Sequence, residues 1–175
     1  MENESKSISV KSVALKQGVI LGLVLIIYSV ILQTLGVAQV KEFGYLSYLI
    51  IVLFIVLAHK TFKQEGNGCM SLGQGIGIGT LLSAVGALIS SIYSYIYMKF
   101  IDPSFMDLIY QMQEDEMMKR GMSEDEIEKA MELTAGFMTP EIILVFGIIG
   151  LIFFSFILSL LVSLVTKKNN PEEEI

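Results

Sequence analysis

The chain has 175 residues, of which 53% are hydrophobic and only 17% are charged, and its mean hydropathy is +0.66. A soluble domain of this length has too small an interior to hide so much apolar surface. The composition therefore excludes an ordinary soluble enzyme, a disordered chain and a disulfide-stabilised scaffold, and it indicates an integral membrane protein. The net charge is −6 and no basic patch is present, so we expect no nucleic-acid partner.

Four apolar stretches predict four transmembrane helices, at residues 18–35, 43–58, 72–98 and 142–165. Lysines precede the first stretch, as they precede the apolar region of a signal peptide. Its apolar run exceeds the usual length of such a region, so we expect a helix that is retained. Ser71 and Gln74 form a predicted capping box at the start of the third helix. Lys167 and Lys168 close the fourth.

The segment between the third and fourth stretches has a different composition. Residues 99–139 hold ten acidic and four basic side chains, together with seven of the ten methionines. Their apolar spacing predicts two amphipathic helices that form a hairpin over residues 102–139. The first begins with Asp102 as cap and Pro103 as its first residue, and it stops at Gly121. The second begins with a capping box from Ser123 to Glu126.

The lysines near the ends of the four stretches predict the topology. Four spans place both termini on one side, and the lysines of that side outnumber those of the other by seven to two. The seven are Lys6, Lys11, Lys16, Lys60, Lys63, Lys167 and Lys168, and the two are Lys41 and Lys99. The positive-inside rule therefore places both termini in the cytoplasm and the acidic hairpin outside. We expect residues 169–175 to be a disordered acidic tail.

Small residues recur every four positions along the third stretch, which is typical of a helix face that another helix approaches closely in lipid. Shorter patterns of the same kind occur in the first and fourth stretches. The candidate packing residues are Gly18, Gly22, Gly75, Gly79, Ser83, Ala87, Ser91, Gly147 and Gly150. The pattern is compatible with packing inside one bundle, with a dimer interface or with a substrate path, and packing inside the bundle is the simplest interpretation.

Few residues have side chains that could catalyse a reaction or bind an ion. The predicted spans contain no Asp, Glu, Lys, Arg or His, which argues against a self-contained ion-coupled transporter. The single His59 is interpreted as an interfacial residue, and Glu141 as a first-turn acid that the helix dipole favours. A gating or cation-binding role for Glu141 is the alternative. No catalytic set, nucleotide loop or metal-ligand spacing is present, so we expect a non-enzyme without cofactor or metal.

Three features together resemble a known family. They are the His59–Lys60 end of the second stretch, the loop from Asn67 to Gly73, and the acidic helix over 121–128 before Pro140. The chain is identified by them as a member of the bacterial membrane-protein family catalogued as domain of unknown function 4199. The resemblance implies a small four-span protein of the bacterial inner membrane, and it implies no activity and no functional residue.

The sequence thus predicts an all-α integral membrane protein with one four-helix domain over residues 1–168 and an extracytoplasmic helical hairpin. The leading functional hypothesis is a non-enzymatic accessory or scaffold protein. It would associate with lipid, and with a second copy or a membrane-protein partner, through its small-residue faces and its acidic hairpin. A small oligomeric transport or permeation protein is the alternative, and a lipid-organising or membrane-stress protein is a third possibility.

Overall fold

The computed structural model describes residues 8–38 and 40–168, so the predicted acidic tail at 169–175 lies outside the described residues. The described chain contains no β-strand. Its α-helices are α1 (Val10–Thr34), α2 (Lys41–Glu65), α3 (Leu72–Ile96), α4 (Phe105–Lys119), α5 (Glu124–Thr134) and α6 (Pro140–Thr166). A π-helical turn, Tyr97–Ile101, continues α3, and a 3₁₀ turn, Ala135–Phe137, follows α5. The predicted all-helical class is confirmed.

Four of these helices are long and apolar enough to cross a membrane. They are α1, α2, α6 and α3 together with its π-helical turn. Large apolar side chains on them are exposed, among them Leu23, Leu49, Phe153 and Val165. Such a surface would drive aggregation in water, whereas lipid tails solvate it. The prediction of four candidate spans is therefore confirmed.

Two of the spanning helices are longer than their apolar stretches. Helix α1 begins at Val10, and α2 continues through Lys63 to Glu65 although it was predicted to end at Ala58. Hydropathy marks only the part of a helix that lipid tails surround. The backbone hydrogen bonds of a helix continue past that point, and lysine side chains on the extra turns extend toward water.

The predicted capping boxes are both present. The Ser71 amide donates to Gln74 Oε1 over 2.8 Å, and the Ser123 amide donates to Glu126 Oε2 over 2.8 Å. The predicted start of α4 is wrong by two residues. Asp102 and Pro103 form a tight turn before the helix, in which the Phe105 amide donates to the Asp102 carbonyl, and α4 begins at Phe105. Gly121 ends α4 with a φ of +83°, as predicted for a glycine stop.

The chain divides into two compact units. We call the first the bundle unit; it consists of the described parts of Met1–Ser90 and Ile148–Ile175. Its core joins α1, α2 and α3 through the fully buried side chains of Leu21, Ile55 and Ile78, and Leu158 of α6 packs against this core.

The second unit, Ser91–Gly147, is called the acidic unit. It contains α4 and α5, which contact each other. Ile127 of α5 and Met138 are its most buried apolar side chains apart from Met98, and the Tyr110 hydroxyl donates to the Met138 carbonyl over 3.1 Å. No side chain of α4 is fully buried. The acidic unit therefore has a thin core and a large exposed surface.

Candidate functional site

Helices α3 and α6 touch along a row of small residues, which we call the α3–α6 seam (Gly75, Gly79, Ser159 and Ser163). A Cβ atom added at Gly75 would lie 2.6 Å from Ser163 Oγ, and one added at Gly79 would lie 2.7 Å from Ser159 Cβ. Both distances are shorter than real contacts of a Cβ atom. Glycine is therefore needed at both positions for the two helices to approach as closely as they do.

Ser159 also ties the two helices together by hydrogen bonding. Its hydroxyl donates toward two consecutive carbonyls of α3, Ile76 O at 3.1 Å and Gly75 O at 3.3 Å. A hydroxyl in the interior of a membrane bundle is costly without such a partner. The seam therefore combines close packing with polar contact between helices.

A second close contact joins α3 to α1. A Cβ at Gly18 would lie 2.7 Å from the Leu82 carbonyl oxygen, and one at Gly22 would lie 2.7 Å from Ile89 Cβ. Gly86 lies outside the four-residue repeat of small residues, and it makes a similar contact with Leu21. Helix α3 thus packs against α6 and α1 within the bundle unit.

The other candidate packing residues fall in different surroundings. Ser83 and Ala87 are buried within the bundle unit, and Ser91 is buried within the acidic unit. A Cβ at Gly147 or at Gly150 would meet no atom within 4 Å. Within the described chain no close neighbour accounts for these two glycines, so their role in helix packing stays a prediction.

His59 lies at the end of the bundle unit where α2, α3 and α6 meet. Its side chain is fully buried, and both ring nitrogens have partners. Nδ1 lies 2.8 Å from Thr166 Oγ1 of α6, and Nε2 lies 2.9 Å from the Gly75 carbonyl oxygen of α3. The Lys63 ammonium donates to the Thr166 carbonyl over 2.8 Å. We call His59, Lys63, Gly75 and Thr166 the histidine cluster.

The interpretation of His59 as an interfacial residue is corrected by this geometry. Helix α2 continues past His59, and packing against α3 and α6 buries the ring completely. The partners lie 16 and 107 positions away in the chain, so no local pattern could reveal them. The signal available in the sequence was the row of serines on the fourth stretch, which indicated that α6 presents a small face.

A backbone contact holds the end of α6 beside the same cluster. The Met70 amide donates to the Lys168 carbonyl over 2.8 Å, and the Lys168 amide donates to the Met70 carbonyl over 2.9 Å. Met70 itself is buried. The loop between α2 and α3 is thus joined to the chain two residues beyond Thr166, the last residue of α6.

The acidic unit has its own polar cluster. The Lys99 ammonium lies 2.5 Å from Glu141 Oε1 and donates to the Tyr95 hydroxyl over 2.7 Å, and that hydroxyl donates to Glu141 over 3.1 Å. The group is exposed, so water screens it. Glu141 therefore has a basic partner in addition to its place in the first turn of α6.

Two carboxylates outside the spans have shifted acidities. The Ser104 hydroxyl lowers the pKa of Asp102 by donating to it, and the Tyr97 hydroxyl adds to this effect. The Ser123 amide and hydroxyl lower the pKa of Glu126 in the capping box of α5. In both cases hydrogen bonds favour the charged form.

The rest of the acidic unit presents side chains outward. Most of its carboxylates are exposed, and so are several large apolar side chains, including Met118 (53% exposed), Leu133 (79%) and Phe137 (66%). Among the described residues no group of three or more His, Cys, Asp or Glu side chains is arranged to hold a metal ion. The acidic unit therefore offers a mixed acidic and apolar surface.

The comparisons with known proteins bear on the family alone. The model of a family described as "protein of unknown function (DUF4199)" matches residues 16–168, which confirms the resemblance drawn from the sequence. No curated protein and no solved structure matches the chain. The description of the family names no activity, substrate or partner.

Proposed function

Because the chain belongs to the DUF4199 family, whose description assigns no activity, we propose its function from its geometry. The protein is a non-enzymatic accessory or scaffold protein of the bacterial inner membrane. The bundle unit anchors it, and the acidic unit holds a partner protein outside the membrane.

The single observation that carries this proposal is the contrast between the two units. Gly18 and Gly22 of α1 pack against α3, and Gly75 and Gly79 of α3 pack against α6, so these small faces are covered within the bundle unit. The acidic unit instead leaves most of its carboxylates exposed, together with the apolar side chains of Met118 and Leu133. A charged surface interrupted by apolar side chains is the type that a protein partner covers, since apolar contact supplies affinity and charge supplies specificity.

The lysine count supports a position of the acidic unit outside the membrane, with both termini in the cytoplasm. On that side an anionic lipid surface would repel the unit, which holds eleven acidic and only four basic side chains. The surface is therefore suited to a partner with basic side chains rather than to a lipid headgroup layer.

The test is to extract the complex in mild detergent at native expression and to identify the proteins that it contains. We expect a second protein at fixed stoichiometry. A variant in which Leu133→Ser and Met118→Ser remove exposed apolar contacts should lose that protein while it accumulates and inserts normally. A matched control, Leu23→Ser on the lipid-facing side of α1, should retain it. A complex that contains only copies of this chain would contradict the proposal.

A transport or permeation role is the second candidate, and the buried His59 is the observation that favours it. An ionisable side chain inside a membrane bundle is a common mark of transport. If the same extraction yields a homo-oligomer without other proteins, the result favours the transport or permeation role.

A further inference from the structure

His59 is the only histidine of the chain, and it is enclosed by three helices with a hydrogen-bond partner at each ring nitrogen. We propose that this ring is a proton-binding site inside the bundle unit, and that the Thr166 hydroxyl reverses its hydrogen bond when the proton binds. The inference does not depend on the proposed scaffold role.

The first step is to assign the hydrogen on Nε2. This nitrogen lies 2.9 Å from the Gly75 carbonyl oxygen, which can only accept. Nε2 must therefore carry a hydrogen in every state of the ring that keeps this bond. The neutral ring then has its acceptor nitrogen, Nδ1, facing Thr166.

The second step concerns the single hydrogen of the Thr166 hydroxyl. Two acceptors lie at the same distance from Thr166 Oγ1: His59 Nδ1 at 2.8 Å and the Val162 carbonyl oxygen at 2.8 Å. The hydroxyl can donate to either of them. The second is the usual bond of a helical threonine to the carbonyl four residues before it, and it gives the hydroxyl hydrogen an alternative partner.

Both protonation states of the ring then have complete hydrogen bonds. In the neutral state Thr166 donates to Nδ1. In the charged state Nδ1–H donates to Thr166 Oγ1, and the hydroxyl turns to donate to the Val162 carbonyl oxygen. Proton binding requires the rotation of one hydroxyl group and no movement of the ring or of a helix.

A second observation concerns an unpaired hydroxyl beside Gly75, the hydrogen-bond partner of Nε2. Ser163 Oγ is fully buried, has no hydrogen-bond partner in the described structure, and lies against Gly75 on the α3–α6 seam. An unpaired hydroxyl in the interior is costly. Its hydrogen is free to reorient beside Gly75, the residue whose carbonyl accepts from Nε2.

The charges that act on the ring are few. Lys63, one turn further along α2, donates to the Thr166 carbonyl, and its ammonium opposes a second positive charge nearby. Neither α3 over residues 72–90 nor α6 over residues 148–166 contains an Asp, Glu, Lys, Arg, His, Cys or Tyr residue. The remaining basic side chains near the ends of the helices are exposed: Lys11, Lys16, Lys60, Lys167 and Lys168. The last turn of α6, with its carbonyl groups, favours a positive charge beside it.

The test is an NMR titration, in which the single histidine gives one set of ring nitrogen signals. The full chain, with ¹⁵N-labelled histidine and in lipid nanodiscs, is titrated between pH 9 and pH 5. We expect Nε2 to stay protonated throughout and Nδ1 to change from an acceptor to a protonated nitrogen. A ring that keeps one state over this range, while the protein remains folded, would overturn the proposal.

Variants of the histidine cluster test whether Thr166 and Lys63 control the protonation of His59, or whether the ring simply exchanges protons with water. Thr166→Val removes the hydrogen bond of Nδ1 in both states of the ring. The charged Nδ1–H loses the stronger bond, so we expect the transition to move to lower pH by about one unit, which is about tenfold in proton affinity. Thr166→Ser keeps the hydroxyl and should leave the transition in place. Lys63→Gln removes the opposing charge and should move the transition to higher pH, which provides a test if Thr166→Val does not fold. A transition that none of these changes moves would also overturn the proposal.

Discussion

Gly79 of α3 and Ser159 of α6 are in contact so close that no side chain fits between them. A Cβ at position 79 would overlap the serine Oγ, and it would also lie 3.1 Å from Ile55 of α2. This position therefore joins three helices of the bundle unit at one point. In lipid, such backbone approach is a main source of stability, because the tails around the bundle are as apolar as its core.

From this contact we expect Gly79→Leu to prevent stable assembly of the bundle unit. Gly79→Ala should lower the free energy of unfolding by about 1–3 kcal/mol, since even one added carbon forces Ser159 and Ile55 to move. Thermal unfolding in mild detergent measures the effect. The matched control is Gly77→Ala on the same helix, where the added carbon lies 3.6 Å from Val10. That variant should be unchanged or slightly more stable.

Normal accumulation and an unchanged melting curve of the Gly79→Leu protein would contradict the role of the seam. Cys69→Ser serves as a second control and as a cysteine-free background. The Cys69 thiol is not in the core, and the contact at this residue is made by its backbone amide to Asn67. We therefore expect no measurable change from it.

The contact between α1 and α3 predicts a second packing effect. Gly22→Leu places a side chain where Ile89 lies, so we expect α1 to separate from α3 and the protein to melt at lower temperature. Gly44→Leu is the control, because a Cβ at that position meets no atom within 4 Å. Equal melting temperatures for the two variants would show that the α1–α3 contact does not stabilise the protein.

Local patterns predicted the parts of the fold that local physics decides. The apolar stretches, the capping boxes at Ser71 and Ser123 and the glycine stop at Gly121 each depend on neighbouring residues, and all are present. The repeat of small residues indicated that α3 is approached closely. It could not indicate by which helix, because a small-residue face fits any partner of suitable shape.

The parts that the sequence did not predict depend on distant partners. His59 is buried because α3 and α6 close over it, and Lys99 is paired because Glu141 lies 42 positions further on. Gly150 fits the spacing of a packing residue, yet a Cβ added there would meet no atom of the described chain within 4 Å. Spacing along one helix thus identifies residues that permit contact, whereas contact itself is decided by the fold.

The capping box of α5 predicts a dependence on pH. Hydrogen bonds from Ser123 lower the pKa of Glu126, so this carboxylate stabilises the helix fully above its unfolded-state pKa. The contribution is lost as the pH falls through the lower folded value. We therefore expect amide exchange in α5, corrected for intrinsic rate, to accelerate below about pH 4 and to be insensitive to pH near neutrality.

The control for this effect is Glu126→Gln, which keeps an acceptor for the Ser123 amide but does not titrate. Glu124 and Asp125 also lie in the first turn of α5 and titrate in both proteins. The difference between the two exchange profiles therefore reports Glu126. Identical profiles at acid pH would show that its hydrogen bonds do not stabilise the helix.

The lysine count predicts on which side the acidic unit lies. A periplasm-active reporter fused after Arg120, at the turn between α4 and α5, should be active. The same reporter fused after Gly66, in the loop between α2 and α3, should be silent. The reverse pattern would invert the topology, and the proposed partner would then lie in the cytoplasm.

The exposed side chain of Phe137 predicts contact with the lipid interface. It precedes Pro140, the first residue of α6, by three residues, so it lies within about 10 Å of the start of a candidate span. That distance is comparable to the depth of a headgroup layer, where aromatic side chains are favoured. The chain has no tryptophan, so Phe137→Trp introduces a single fluorophore. We expect its emission to be blue-shifted and quenched by lipids brominated near the headgroup.

Met118→Trp is the matched comparison, since Met118 is also exposed but lies near the turn between α4 and α5, far along the chain from either span. Its emission should resemble tryptophan in water, and soluble iodide rather than brominated lipid should quench it. Quenching of both positions by brominated lipid would mean that the acidic unit lies flat on the membrane. In that case its apolar side chains would already be covered by lipid, and the surface proposed for a partner protein would not be available.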